Sequence, residues 1–136
     1  MAHDAERPGP FTCLIADDSQ FARRNIAGII VKLGGTVTGE AANGIEAAEL
    51  YGKLHPDIVI LDITMPQLDG IATLERIMQQ DKNAKIVIIS ALGNKEIVWQ
   101  AITLGAKSFI TKPYAPDYAG MIITDVLRGG KAGGQP

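Results

Sequence analysis

The chain has 136 residues, enough for one domain that buries its own core without disulfides or a structural metal. Thirteen basic against fifteen acidic residues give a net charge of −2, and no basic run or stripe is present, so direct binding to DNA or RNA is disfavoured. The single cysteine, Cys13, excludes an internal disulfide, and no apolar run approaches the roughly eighteen residues that membrane insertion requires.

The first ten residues, MAHDAERPGP, lack the apolar centre of a signal peptide; with the lone cysteine this fits a reducing, cytoplasmic setting. Residues 1–10 are expected to be a flexible N-terminal segment, 11–128 the one domain, and the glycine-rich 129–136 a flexible tail. FTCLIA (11–16) reads as a strand in which Cys13 packs as a small hydrophobe. SQFARRNIAGIIVKL follows as a helix behind a Ser19 cap, with Phe21, Ile26, Ile29, Ile30 and Leu33 at helical spacing, until Gly34 and Gly35 stop it. TVTGEA (36–41) is a short, more polar strand suited to a sheet edge, and NGIEAAELYGKL (43–54) is a helix with Asn43 placed to cap it.

DIVILD (57–62) and KIVIIS (85–90) are continuous β-branched runs, the pattern of parallel strands covered on both faces. Helices are predicted over 70–80 and 94–104, SFIT (108–111) is a fifth strand, and Pro116 to about Leu127 is a closing helix. Strict alternation of strand and helix implies right-handed crossovers. The fold class is therefore α/β: a doubly wound, five-stranded parallel sheet with helices on both faces, in one domain.

In such a sheet, ligands sit beyond the carboxyl ends of the strands, near the point where strand order reverses. Strand one ends in Asp17-Asp18, strand three in Asp62, strand four in Ser90 and strand five, one residue on, in Lys112. One edge thus gathers three carboxylates, a hydroxyl and an ammonium group. Three close carboxylates resist joint ionisation unless a cation neutralises them, and a hard divalent ion such as Mg²⁺ suits oxygen donors. No cysteine and neither histidine, His3 nor His55, falls on this edge, which argues against zinc or copper.

Asp62, on the central strand, can attack phosphorus as a carboxylate nucleophile. Lys112 supplies a point charge and Ser90 a hydroxyl for the phosphoryl oxygens, and the small Ala91 leaves a path for the incoming group. The product would be an aspartyl phosphate. Singly, each residue has a plainer role: Asp17 and Asp18 as helix caps, Asp62 as a turn residue, Lys112 in a solvated turn before Pro113, and Ser90 bonded to nearby backbone. Their joint placement carries the functional reading, with Met65-Pro66 and Asp69-Gly70 left as turn and helix-start chemistry.

Asp17-Asp18, DITMPQLDG, Ser90-Ala91, Phe109 and Lys112-Pro113, in this order on an alternating α/β pattern, resemble the receiver domains of two-component response regulators, the CheY-like family. The resemblance spans roughly residues 11–127 and implies that Asp62 is the phosphoacceptor. It further implies that Asp17, Asp18, Asp62 and the Thr64 backbone carbonyl bind Mg²⁺, and that Lys112-Pro113 is a candidate cis bond. GAKSFITKPY and SALGNKEI look most like stand-alone chemotaxis receivers, which take phosphate from a histidine kinase and dock on the flagellar motor switch or a related target. A phosphatase is a further possible partner. Such a receiver is a signalling switch, not an enzyme on external substrates; it catalyses only its own phosphorylation and dephosphorylation.

Ser90 stands where threonine is commoner and Phe109 where tyrosine is frequent, so a switch built on Ser90 and Phe109 relies on ring burial. Thr64 and Leu92 occupy positions that in the family tune phosphate lifetime, and an apolar Leu92 cannot orient an attacking water. On the fourth helix, Ile97, Ala101 and Leu104 form a core stripe, while Val98, Trp99 and Ile102 wrap toward Lys95. Two readings of that second face stand side by side: with Phe109, a partner surface, or a wide stripe buried in part beneath the last helix.

Three alternatives remain at this level. A receiver cut from a DNA-binding regulator would share the whole site. A flavodoxin-type mononucleotide binder would want a Ser/Thr/Gly-rich loop where this chain has ADDSQ, and a hydrolase would want a second acid/base pair.

Overall fold

The computed structural model describes residues 8–65 and 69–129, and among these, ten elements alternate strand with helix. They are β1 (Phe11–Ala16), α1 (Gln20–Lys32), β2 (Gly35–Ala41), α2 (Gly44–Leu54), β3 (Ile58–Leu61), α3 (Gly70–Gln80), β4 (Ile86–Ser90), α4 (Lys95–Leu104), β5 (Ser108–Thr111) and α5 (Pro116–Leu127). The expectations for the N-terminal segment up to residue 7, for His3, for Pro66 and for the tail from residue 130 fall outside the described residues.

All strand pairs are parallel and the order is β2-β1-β3-β4-β5, so the chain reverses direction between β1 and β3 and β3 takes the centre. The polar β2 is at the edge, as its alternating exposure requires. Side-chain alternation along β1 and β3 divides the core into two layers. Cys13, Ile15, Ile58 and Ile60 face α1 and α5, where Ile26, Ile30, Ile122 and Ile123 meet them. Leu14, Val59 and Leu61 face the other way, onto Ala47 and Tyr51 of α2, Leu74 and Ile77 of α3 and Ala101 of α4. Each fully buried Leu or Ile contributes about 1.5–3 kcal/mol, which makes the sheet a stiff platform for what its edge carries.

Local chemistry sets the helix ends. Ser19, Asn43, Asp69 and Asn94 accept from Ala22, Glu46, Ala72 and Ile97 amides respectively, and Pro116 opens α5 without a side-chain cap. At the amino ends of the strands, Asp57 accepts from the Thr12 amide and hydroxyl, and Tyr51 donates to Asp81 at 2.7 Å. Lys85, just before β4, donates to the Leu127 carbonyl at the end of α5. Among the described residues no helix is long and apolar enough to cross a membrane.

Of the five apolar residues at helical spacing along α1, one does not join the core. Phe21 is 75% exposed, whereas Ile26, Ile29 and Ile30 are buried and Leu33 half-buried. At 3.6 residues per turn, Phe21 lies about 130° around the helix from the stripe those four share, so it points away from the sheet.

Candidate functional site

The carboxyl edge of the sheet brings together the residues expected there. Asp17 and Asp62 are the first residues after β1 and β3, and the sheet ladder continues through both: the Asp17 amide donates to the Ala41 carbonyl at 3.0 Å, and the Asp62 amide to the Ala16 carbonyl at 2.9 Å. Both side chains are nearly buried, and Asp18 beside them is exposed. One carboxylate oxygen from each of Asp17, Asp18 and Asp62 lies within 4.8 Å of the others.

Lys112 reaches this cluster from the end of β5. Its Nζ donates to Asp17 Oδ2 at 3.0 Å and approaches Asp62 Oδ2 at 3.4 Å. Its amide donates to the Ser90 carbonyl at 2.9 Å, and the Lys112–Pro113 bond is cis, as the resemblance implied. Ser90 is fully buried and its hydroxyl oxygen accepts from the Leu92 amide at 3.1 Å. The loop after β3 folds back so that the Thr64 amide and hydroxyl each donate to Asp62 Oδ1 at 3.0 Å.

The start of α3 supports that loop. Gly70 donates to the Ile63 carbonyl and lies so close to the Asp62–Ile63 backbone that a Cβ there would overlap Ile63 Cα and sit 2.5 Å from the Asp62 carbonyl oxygen. Only glycine fits such an approach. Asp69, one residue earlier, caps the helix, so Asp69-Gly70 is scaffold, in keeping with its reading as helix-start chemistry.

Three carboxylates face one ammonium. Burial raises the Asp17 carboxyl above its ordinary range and the Asp62 charge adds to this, against the opposing pull of the Ser19 amide and Lys112. For Lys112, burial alone would lower the ammonium, but the hydrogen bond to Asp17 and the charges of Asp62 and Asp17 outweigh it and raise the group. An all-oxygen donor set with excess negative charge fits a hard divalent cation. Cys13, buried in the sheet with its thiol pushed up to about 12, takes no part.

The residues expected to form a partner surface lie on α4 and β5. Lys95 is exposed, Trp99 is 66% exposed, and Val98, Ile102 and Phe109 are half-buried. Ile102 and Phe109 pack on the same core layer, so the Phe109 ring adjoins α4, while α5 packs on the opposite layer.

Two features were not legible beforehand. Phe21, turned outward, borders an apolar groove of about 900 Å³ that also includes Ala91, Lys112, Pro113 and Tyr114. Arg23, on α1, donates to the Asp17 carbonyl at 2.7 Å and to Glu40 at 2.9 Å. Nothing in the local sequence separates Arg23 from its neighbour Arg24, which is exposed.

The response regulator receiver domain family matches residues 13–123. Chemotaxis protein CheY of Thermotoga maritima is 52% identical over 103 residues, covering 76% of this chain and 86% of that protein. CheY of Bacillus subtilis is 48% identical over 104 residues, covering 76% of this chain and 87% of its own. A crystal structure of a CheX–CheY–BeF3–Mg²⁺ complex from Borrelia burgdorferi contains a chain that is similar at a TM-score of 0.84 and 40% identity, over 86% of this chain and 89% of that one.

Proposed function

The chain belongs to the response regulator receiver family, and we propose on that basis that it is a cytoplasmic, phosphorylation-activated switch of chemotaxis signalling whose phosphoacceptor is Asp62. The observation that carries this reading is the single ammonium of Lys112 spanning the buried carboxylates of Asp17 and Asp62 at the sheet's switch point. Asp17, Asp18, Asp62 and the Thr64 carbonyl would hold Mg²⁺, which supplies charge to offset the phosphoryl oxygens during transfer.

The chain's own groups account for the rest. The Asp62 carboxylate attacks phosphorus as the P–N bond to a histidine kinase's imidazole breaks, and that imidazole leaves with the electron pair. Lys112 then turns from carboxylate to phosphoryl oxygen, and the Ser90 hydroxyl donates to another. Drawing Ser90 inward opens room beside Phe109, whose half-buried ring follows and alters the face made by α4, β5 and α5. Lys95, Val98, Trp99, Ile102 and Phe109 on that face would meet the output protein, such as a flagellar motor switch component. Leu92 offers no polar atom to orient water toward the acyl phosphate, which leaves its removal to slow hydrolysis or to a phosphatase.

The test is phosphorylation by acetyl phosphate with Mg²⁺. Wild type should take up one acid-labile phosphate and the Asp62→Asn protein none. Undiminished labelling of the variant would sink the assignment.

A further inference from the structure

Asp18 is the exposed member of the acidic cluster, and among the described residues no donor holds its carboxylate. Its placement beside Asp17 and Asp62 is therefore set by backbone alone. On the preceding side, the Asp17 amide is fixed to the Ala41 carbonyl of the edge strand; on the following side, the Ser19 amide is fixed to Asp17 Oδ1 at 2.9 Å. The peptide plane between Asp17 and Asp18 has one further anchor, the Arg23 Nη1 that donates to the Asp17 carbonyl at 2.7 Å.

The same guanidinium uses Nε on Glu40 Oε1 at 2.9 Å, and its side chain is only 16% exposed. Glu40 lies at the end of β2, one residue before the Ala41 that receives the Asp17 amide. Arg23 is thus held by the edge strand and in turn holds the acidic loop. The Glu40 charge also neutralises a guanidinium that would otherwise oppose a cation on the neighbouring acids.

We infer that Arg23, braced by Glu40, is a positioning residue that fixes the Asp17–Asp18 peptide and so keeps the Asp18 carboxylate in the cation site. The inference rests on the divalent-cation reading of Asp17, Asp18 and Asp62. A planar fork reaches a carbonyl and a carboxylate at once; a lysine ammonium keeps the charge but not the geometry.

The experiment is calorimetric titration of the whole chain with magnesium chloride for wild type, Arg23→Gln, Arg23→Lys and Glu40→Gln. Amide NMR shifts of Asp18 and Ser19 and melting temperature in EDTA are recorded beside it. Both Arg23 variants should raise the Mg²⁺ Kd about tenfold, the effect typical of losing a group that orients a metal ligand. They should also shift the Asp18 amide before any metal is added. Glu40→Gln should raise Kd by about threefold, less so as salt is added.

Arg23→Gln binding Mg²⁺ more tightly than wild type, as loss of a positive charge beside a cation would produce, overturns positioning, and so does Arg23→Lys matching wild type, since the fork geometry would then not be needed. Unchanged Kd in both, with only the melting temperature lowered, would reduce Arg23 to a structural clamp. Should the Arg23 variants fail to fold, Glu40→Gln with wild-type affinity at low salt overturns the inference by itself. A wild-type chain that binds no Mg²⁺ overturns the divalent reading and this inference with it, whereas variants that match a binding wild type overturn the inference alone.

Discussion

Lys112 and Asp17 form an ion pair of 3.0 Å between the ends of β5 and β1, two strands that do not touch in the sheet. The pair spans β3 and β4, and Asp62 lies within its reach at 3.4 Å. One ammonium serves two buried acids, so the resting edge is under-neutralised. That imbalance makes the edge receptive to a cation, at some cost to the fold.

The cost is measurable at Asp17. Its folded carboxyl is raised above the ordinary value of about 3.9, first by burial. A raised acid contributes stability below its unfolded pKa and loses it as pH climbs through the folded one, so at neutral pH its charge is a net burden. Asp17→Asn should therefore melt a few degrees higher than wild type at pH 7 in EDTA, with the gap closing toward pH 4 and narrowing when Mg²⁺ is added. A variant that melts lower than wild type in EDTA would show that the Lys112 pair outweighs the burden.

Tyr51 and Asp81 behave in the opposite sense. The Tyr51 hydroxyl donates to Asp81 at 2.7 Å and, with the Asn83 amide, lowers the carboxyl below its ordinary range. A lowered acid contributes stability above its unfolded pKa and loses it as pH falls through the folded one. Tyr51→Phe should be less stable than wild type at pH 7 and approach it below about pH 3. Urea unfolding at the two pH values checks this, and a difference independent of pH would assign the loss to packing instead.

Gly70→Ala should be costly at a position that sequence pattern marks only as the start of a helix. The added methyl meets the Asp62–Ile63 backbone itself, which has no flexible end to give way. A loss of about 1–3 kcal/mol is expected, together with slower phosphorylation as the Asp62 loop shifts. Urea unfolding and acetyl phosphate labelling read the two effects, and full stability with full labelling would contradict the close approach.

Phe21→Ala should leave stability within about 0.5 kcal/mol of wild type, because the ring is already in solvent. Ile30→Ala, two and a half turns along the same helix and fully buried, should cost about 2–5 kcal/mol. Paired thermal melts decide the orientation of α1. Equal losses would place Phe21 back in the core.

The sheet was legible because strands buried on both faces must be written almost wholly in apolar, β-branched residues, as Ile58–Leu61 and Ile86–Ser90 are. The site was legible because parallel strands deliver their following residues to one edge, which collected Asp17, Asp62, Ser90 and Lys112 without knowledge of side-chain positions. The exposure of Phe21 was not legible because apolar periodicity counts residues without weighing how far each strays from the stripe. Arg23 was invisible because its partners, the Asp17 carbonyl and Glu40, meet only through the pairing register of β1 with the edge strand. That register is a property of the folded sheet, which no short window of sequence contains.

The ammonium of Lys85 on the Leu127 carbonyl secures the last helix near the beginning of β4, beside the beginning of β1 at Phe11. Residues 11 and 127 consequently leave the fold at the pole opposite the carboxylates. A fluorescent protein or surface tether spliced at either point would hang from the pole opposite Asp62 and, on the function proposed above, leave that carboxylate and the α4 face open. A reporter of the proposed switch would then touch none of its residues.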